Sequence, residues 1–186
     1  MSEKLKSPVL KLPVGERDHS QGSADVPVTL VEYGDFECSL CGKAFPVLKE
    51  LLNTYEGKIR FIFRNFPMKT LHPNAYDAAL AAEAAGLQGK FWEMHNVFFK
   101  NQDNLEKTQL FRYAASAGAD AERLKADMES EAVRAKVKED FRSGVISGVN
   151  GTPTFFINGI RYNGTYYLWD ISKAVDRALA QPVQGS

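Results

Sequence analysis

The chain has 186 residues with 23 basic and 23 acidic side chains, so its formal net charge is zero and its composition is that of an ordinary globular protein. That balance offers no global attraction to nucleic acid or to an anionic membrane, and nucleic-acid binding is not expected. The length suits one domain with a substantial core, and two cysteines are too few for a disulfide-stapled scaffold, so they point to chemistry or to metal.

Residues 1–26 read as an N-terminal arm. Its run from Asp18 to Ser23 is polar, while Val9, Leu10, Leu12 and Val14 give it something to pack. It lacks the basic region and apolar run of about 7–15 residues that make a secretory signal. Nowhere does an apolar run reach the roughly 18 residues that suggest a membrane span, so no membrane insertion is expected. The expected compartment is the cytoplasm as the sequence stands, or the periplasm or another extracytoplasmic space if a leader has been removed.

Val28 to Tyr33 reads as a largely buried strand, and Gly34-Asp35-Phe36-Glu37 as the turn out of it. Cys38-Ser39-Leu40-Cys41 then opens a helix whose apolar positions are Ala44, Val47, Leu48, Leu51, Leu52 and Tyr55, closing near Gly57. Pro46 lies inside that helix and predicts a kink. A second strand, Ile59 to Phe63, completes a βαβ unit, for which parallel pairing is expected.

From His72 to Gly148 the periodicity is helical. Pro73 can start an alanine-rich helix; Phe91, Met94, Val97 and Phe98 form the next stripe, followed by Leu110 to Ala117. Asp120 and Ser130 are candidate N-caps, the second of a helix with a stripe of Val133, Val137, Phe141 and Val145. After Gly151-Thr152-Pro153, the segments Thr154 to Ile157 and Ile160 to Tyr162 flank Asn158-Gly159, the signature of a type I′ hairpin. A helix from Leu168 to Leu179 precedes a polar tail.

Two thiols two residues apart at a helix start can close into a disulfide and reopen. The free N–H groups and the helix dipole favour a thiolate on the first. Cys38 is therefore the expected nucleophile and Cys41 the buried resolving thiol. The alternatives are a static disulfide or a soft-metal site, but His19, His72 and His95 show no ligand-pair spacing and no metal is expected.

This order of elements, with Cys-x-x-Cys opening the first helix and Thr-Pro before the hairpin, resembles the thioredoxin fold with an inserted helical domain of the DsbA-like thiol-disulfide oxidoreductases. The resemblance is carried by Val31-Glu32-Tyr33-Gly34-Asp35-Phe36-Glu37-Cys38, Phe63-Arg64-Asn65-Phe66-Pro67, Gly89-Lys90-Phe91-Trp92-Glu93-Met94-His95 and Gly148-Val149-Asn150-Gly151-Thr152-Pro153-Thr154-Phe155. It implies an α/β thioredoxin-like fold in which residues 27–71 (βαβ) and 149–186 (ββα) enclose an all-helical insertion, 72–148. It further implies that Pro153 is cis and faces the cysteines, that Thr152 and Pro153 edge a groove for protein or peptide substrates, and that Glu32 lies beneath the pair and moves a proton for the buried thiol. The other reading of Glu32 is a carboxylate pointing to solvent.

Glu37, adjacent to Cys38, reads as a solvated turn residue. The central dipeptide Ser39-Leu40 departs from the Pro-His or Pro-aromatic pair of strongly oxidising relatives. Ser39 could donate a hydroxyl proton while Leu40 offers nothing to a thiolate, so a less oxidising pair is expected. The expected function is dithiol-disulfide exchange by a monomer, with no cofactor beyond the Cys38–Cys41 pair and an unidentified redox partner to recharge it. The alternative is a non-enzymatic peptide- or soft-metal-binding module on the same fold.

Overall fold

A computed structural model describes residues 8–181; the first seven residues of the arm and the end of the polar tail lie outside the described residues. Five strands form one mixed sheet: β1 (His19–Gln21), β2 (Val28–Gly34), β3 (Ile59–Asn65), β4 (Thr154–Ile157) and β5 (Ile160–Tyr162), in the order β1-β3-β2-β4-β5. β2 runs parallel to β3 and antiparallel to β4, so it is central and buried on both faces. This is why its sequence lacks clean alternation. Val28 and Leu30 pack into the larger core with α1 (Ser39–Thr54) and α7 (Leu168–Leu179); Val31 and Tyr33 join the smaller one with Phe66, Val149 and Phe156.

Between β3 and β4 stand α2 (Ala75–Gly86), α3 (Phe91–Lys100), a 3₁₀ turn (Gln102–Asn104), α4 (Lys107–Ser116), α5 (Ala121–Met128) and α6 (Glu131–Ile146). Asp120 and Ser130 cap α5 and α6 as the sequence predicts, their side chains accepting the N–H groups of Arg123 and Val133. The hairpin turn has Asn158 at φ 47° and Gly159 at φ 77°, the two left-handed residues a type I′ turn demands. α1 continues through Pro46, whose missing N–H removes one bond from the helical ladder.

Three sequence expectations change. The arm contributes a strand, since β1 pairs antiparallel with β3; three half-buried polar residues are too short a run for an alternation signal. β3 extends two residues past Phe63, to Arg64 and Asn65. Arg64 is fully buried because Asp18 takes its guanidinium through both oxygens (2.8 and 2.9 Å), the carbonyls of Leu12 and Pro13 accept at 2.9 and 3.1 Å, and the Tyr33 hydroxyl lies at 3.0 Å. A charge that reads in the sequence as the end of a strand is the peg that fastens the arm to it. On α6, Phe141 and Val145 are exposed, not in the core stripe; the helix buries Val133, Val137, Asp140, Ser143 and Gly144 instead. Gly144 lets the Phe66 ring lie against the helix, where a Cβ would stand 2.7 Å from Cδ2.

Candidate functional site

The helix start places the two thiols differently. Cys38 is the N-cap of α1 in extended conformation, and its carbonyl accepts the Gly42 N–H at 3.0 Å. Both cysteines are free; Cys38 is 7% exposed and Cys41 wholly buried. The Thr152–Pro153 peptide is cis, and the Thr152 carbonyl lies 3.2 Å from Cys38 Sγ, so the loop before the hairpin comes back to the nucleophile.

As a thiol, Cys38 donates to that carbonyl. As a thiolate it gains more: hydrogen bonding from the Cys41 thiol, set against burial, together with the Thr152 side chain and the backbone N–H groups of Cys41 and Leu40, brings its pKa down from 9.0 to about 5. Burial pushes the Cys41 thiol well above its ordinary value, helped by its hydrogen bond to Cys38 and the charge on Glu32. One turn of helix thus separates an anion at neutral pH from a retained thiol.

Glu32 does not reach solvent: it is 2% exposed, paired in register with Phe63 and Phe155, on the strand face that carries Val28 and Leu30. Its Oε1 has no hydrogen-bond partner. Burial, with the Cys38 charge second, raises its pKa from 4.5 to about 8. Ser39 and Leu40 are exposed. Leu40 helps Cys38 through its backbone N–H alone, and the Ser39 hydroxyl makes no hydrogen bond to the thiol.

The turn before the cysteines is held by side chains that sequence reasoning missed. Asp35, 2% exposed, accepts the Glu37 N–H (2.9 Å) on one oxygen and, on the other, the Met68 N–H (2.8 Å) and His72 Nδ1 (2.8 Å). Burial works against protonation of His72, but the Asp35 carboxylate outweighs it, and the negative charges of Cys38 and Glu37 add to the upward shift. Glu37 is no solvated turn residue: its carboxylate accepts the Asn74 N–H at 2.6 Å and the Asn74 amide at 2.8 Å. Gln102, from the 3₁₀ turn, donates Nε2 to the carbonyls of Phe36 (2.7 Å) and Cys38 (3.0 Å). A Cβ on Gly42 would collide with Gln102 Oε1. A lone glycine inside a helical pattern was the available signal for this contact.

The histidines do not gather around the pair as a ligand set. His19 Nε2 bonds Glu83 at 2.8 Å, and His95 is buried among Phe36, Phe63, Trp92 and Phe99, burial bringing its pKa down to about 3. Among the described residues no three His, Cys, Asp or Glu side chains converge as a metal site.

A mixed five-stranded sheet with helices α2–α6 between its third and fourth strands, and a Cys-x-x-Cys pair at the start of α1, is the thioredoxin-like arrangement of the DsbA-like oxidoreductases. The chain belongs to the thioredoxin family, whose family model matches residues 15–177. Among solved structures it is similar to a thioredoxin-like oxidoreductase from Silicibacter pomeroyi, with 28% identity and a TM-score of 0.82 over 90% of this chain and 95% of that one. Oxidised BdbD from Bacillus subtilis shares the fold at 23% identity, with a TM-score of 0.80 over 95% and 97% of the two chains.

Among curated proteins, the chain is 43% identical over 172 residues to Na(+)/H(+) antiporter NhaA 1 of Salinispora arenicola, and 43% identical over 166 residues to NhaA 1 of Mycolicibacterium vanbaalenii. These matches cover 92% and 88% of this chain but 26% of each relative, so the chain spans about a quarter of their length. No helix among the described residues is long and apolar enough to cross a membrane.

Proposed function

We propose that the chain is a thiol-disulfide oxidoreductase acting on protein or peptide substrates through Cys38 and Cys41. The observation that carries this is the asymmetry of the pair: Cys38 at the N-cap of α1, 3.2 Å from the Thr152 carbonyl, with Cys41 wholly buried one turn on, a placement that lowers the pKa of the first thiol and raises that of the second. Reductive turnover begins with the Cys38 thiolate attacking a substrate disulfide, forming a mixed disulfide and expelling one substrate thiolate. Cys41, losing its proton to Glu32 in its ionised form, which the mixed disulfide favours because burial alone, without the Cys38 charge, then raises the Glu32 pKa, attacks Cys38 Sγ and releases the second substrate thiolate, leaving the Cys38–Cys41 disulfide. In the oxidative direction a substrate thiolate attacks Cys38 of that disulfide, and Glu32, protonated below about 8, gives its proton to Cys41 as it leaves.

Thr152 and Pro153 present the backbone edge along which an extended substrate pairs. The reaction needs no cofactor beyond the pair, and the chain acts as a monomer. Its redox partner and compartment, cytoplasmic or extracytoplasmic, set the net direction, because a reducing pool returns the pair to the dithiol and an oxidising one to the disulfide.

Insulin reduction tests the reading. Cys38→Ser should abolish turnover, and Cys41→Ser should accumulate a mixed disulfide visible by mass. Full activity in Cys38→Ser, or stoichiometric binding of a soft metal by the wild-type pair in place of turnover, would overturn it.

A further inference from the structure

One cleft runs along the Thr152–Pro153 loop and a second lies beyond Met68, and their chemistry differs. One, of about 480 Å³, runs from Leu40 past Thr152 and Pro153 to Tyr162, Tyr166 and Tyr167. The one cation in its lining, Arg161, is already bonded to the Gly148 carbonyl and the Asn150 side chain. The other, of about 740 Å³, opens between the segment 66–70 and α6. Met68 joins it to the reactive site: Met68 lines the cleft, its N–H is held by Asp35, and the Thr152 hydroxyl lies 3.9 Å from its sulfur. A polypeptide lying against Thr152 with its cysteine at Cys38 can therefore continue across Met68 into this second cleft.

The floor of that cleft is apolar. Phe66 and Phe141 stack with centroids 4.5 Å apart, and Pro67, Val137 and Tyr76 line the rest. Phe141 stays 38% exposed there, so its ring and that of Phe66 offer an accessible apolar surface. The rim is basic: Lys69, Arg134 and Lys138 stand against the single acid Glu131, an excess of two positive charges on a chain whose net charge is zero. Arg134 and Lys138, one turn apart on an exposed face of α6, enter no ion pair among the described residues, whereas Lys136 of the same helix is spent on Asp140. Lys69 lies over the Tyr76 ring at 3.2 Å, which keeps its charge at the cleft wall.

An apolar floor, unpaired cations at the rim and continuity with the reactive cysteine select one occupant. We infer that this cleft is a docking subsite for an acidic segment bearing apolar side chains, part of the polypeptide whose cysteine reacts at Cys38. The inference rests on the reading of the pair as the site of exchange.

The test uses fluorescein-labelled peptides with serine in place of cysteine, so that binding is read without thiol chemistry. One carries alternating acidic and leucine or phenylalanine residues; its twin has lysine for every acid. On the full chain the acidic peptide should bind about tenfold more tightly than the basic one, with the preference shrinking as salt rises. Arg134→Glu combined with Lys138→Glu, both exposed positions, should abolish or invert the preference, while Phe141→Ser should weaken both peptides and leave the charge preference in place.

Equal affinity of the two peptides for the wild-type chain, or an unchanged preference in the double variant, overturns the subsite. So does a dimer in sedimentation, or binding to phosphatidylglycerol vesicles, that the double variant removes while no peptide preference is present. Insulin reduction run in parallel separates the two readings. Turnover without acidic preference defeats the cleft alone; absence of turnover defeats the exchange reaction and the role given to the cleft with it.

Discussion

The two sides of the Cys38–Cys41 turn are held by different physics. On the sheet side the environment decides protonation: Glu32 is buried without a partner for Oε1, Cys41 is sealed from water, and Cys38 collects donors from Cys41, Thr152 and the helix start. On the side of the inserted helices, position is decided instead. Asp35, Glu37 and Gln102 tie the turn to Met68, His72, Asn74 and the 3₁₀ turn through bonds of 2.6 to 3.0 Å, mostly to backbone groups. Protonation is thus set by few groups close to the sulfurs, and placement by residues from distant stretches of chain. A substitution on the first side should alter pH dependence most; one on the second should alter rate and stability together.

Glu32→Gln should give the largest effect short of removing a cysteine. On the proposed mechanism it takes away the proton acceptor for Cys41, so resolution of the mixed disulfide should slow about a hundredfold above about pH 8, where Glu32 is ionised, and less at lower pH. Stability provides a second readout. The Glu32 pKa is raised to about 8 in the folded chain from 4.5, so its contribution is fully present below 4.5 and is lost as pH rises through about 8. The Cys38 pKa is depressed to about 5 from 9.0, so its contribution is present above 9 and is lost as pH falls through about 5.

In the reduced protein the two slopes oppose one another between pH 5 and 8. In the disulfide form the Cys38 slope is gone and the Glu32 slope remains, its upper end moved below about 8 because burial alone raises the Glu32 pKa once the Cys38 charge is absent. Urea midpoints of the disulfide form should therefore fall across that window more steeply than those of the dithiol form, and Glu32→Gln should flatten the fall. A disulfide form with a level profile in the wild type would refute the buried, protonated carboxyl.

On the placement side, Gly42→Ala and Gln102→Ala should converge. The first drives Gln102 off the turn and the second removes its amide, so each frees the carbonyl of Phe36 and leaves that of Cys38 with the Gly42 N–H alone. Each should cost about 1–3 kcal/mol of stability, the range for a buried polar group left unpaired. Insulin reduction should fall about tenfold, with the Cys38 absorbance titration moved upward by well under the shift that separates the two thiols. Combining the two substitutions should add little, because both remove one contact. Additive losses would mean that Gly42 and Gln102 act separately.

The same division explains how much was legible in the sequence. The βαβ unit, the helical block, the Asn158-Gly159 hairpin and the caps at Asp120 and Ser130 are local patterns, and each appears where its residues predict. The cysteine pair and the Thr152–Pro153 return were legible because motif and element order point the same way. Gln102 was not, since it lies in a three-residue 3₁₀ turn with no periodicity and acts across 64 residues on Cys38. Glu37 was misread because its partner, Asn74, lies in a different element. Phe141 followed the helical stripe of α6 but faces outward, because the buried stripe is completed by Asp140, Ser143 and Gly144, whose small or hydrogen-bonded side chains accept Phe66 and Asn65 where a large apolar ring would not fit.

The smallest expected effect sharpens the protonation side. The Cys38 value of about 5 lies between the roughly 7 of thioredoxin and the roughly 3.5 of DsbA, so its reduction potential should lie between their values of about −270 and −120 mV. Burial keeps the Cys38 value from going lower, and Leu40, 46% exposed at the cleft edge, supplies a backbone N–H but no side-chain donor to offset it. Leu40→His adds an imidazole donor at that position without touching Glu32 or the Gln102 contacts. A drop of about one unit in the Cys38 pKa stabilises the dithiol about tenfold at neutral pH, which corresponds to a potential about 30 mV more oxidising. A glutathione titration reads that shift directly. If the potential moves while the rate of mixed-disulfide resolution does not, tuning of Cys38 and proton transfer at Cys41 are separable; if both move together, the sheet side works as one coupled unit.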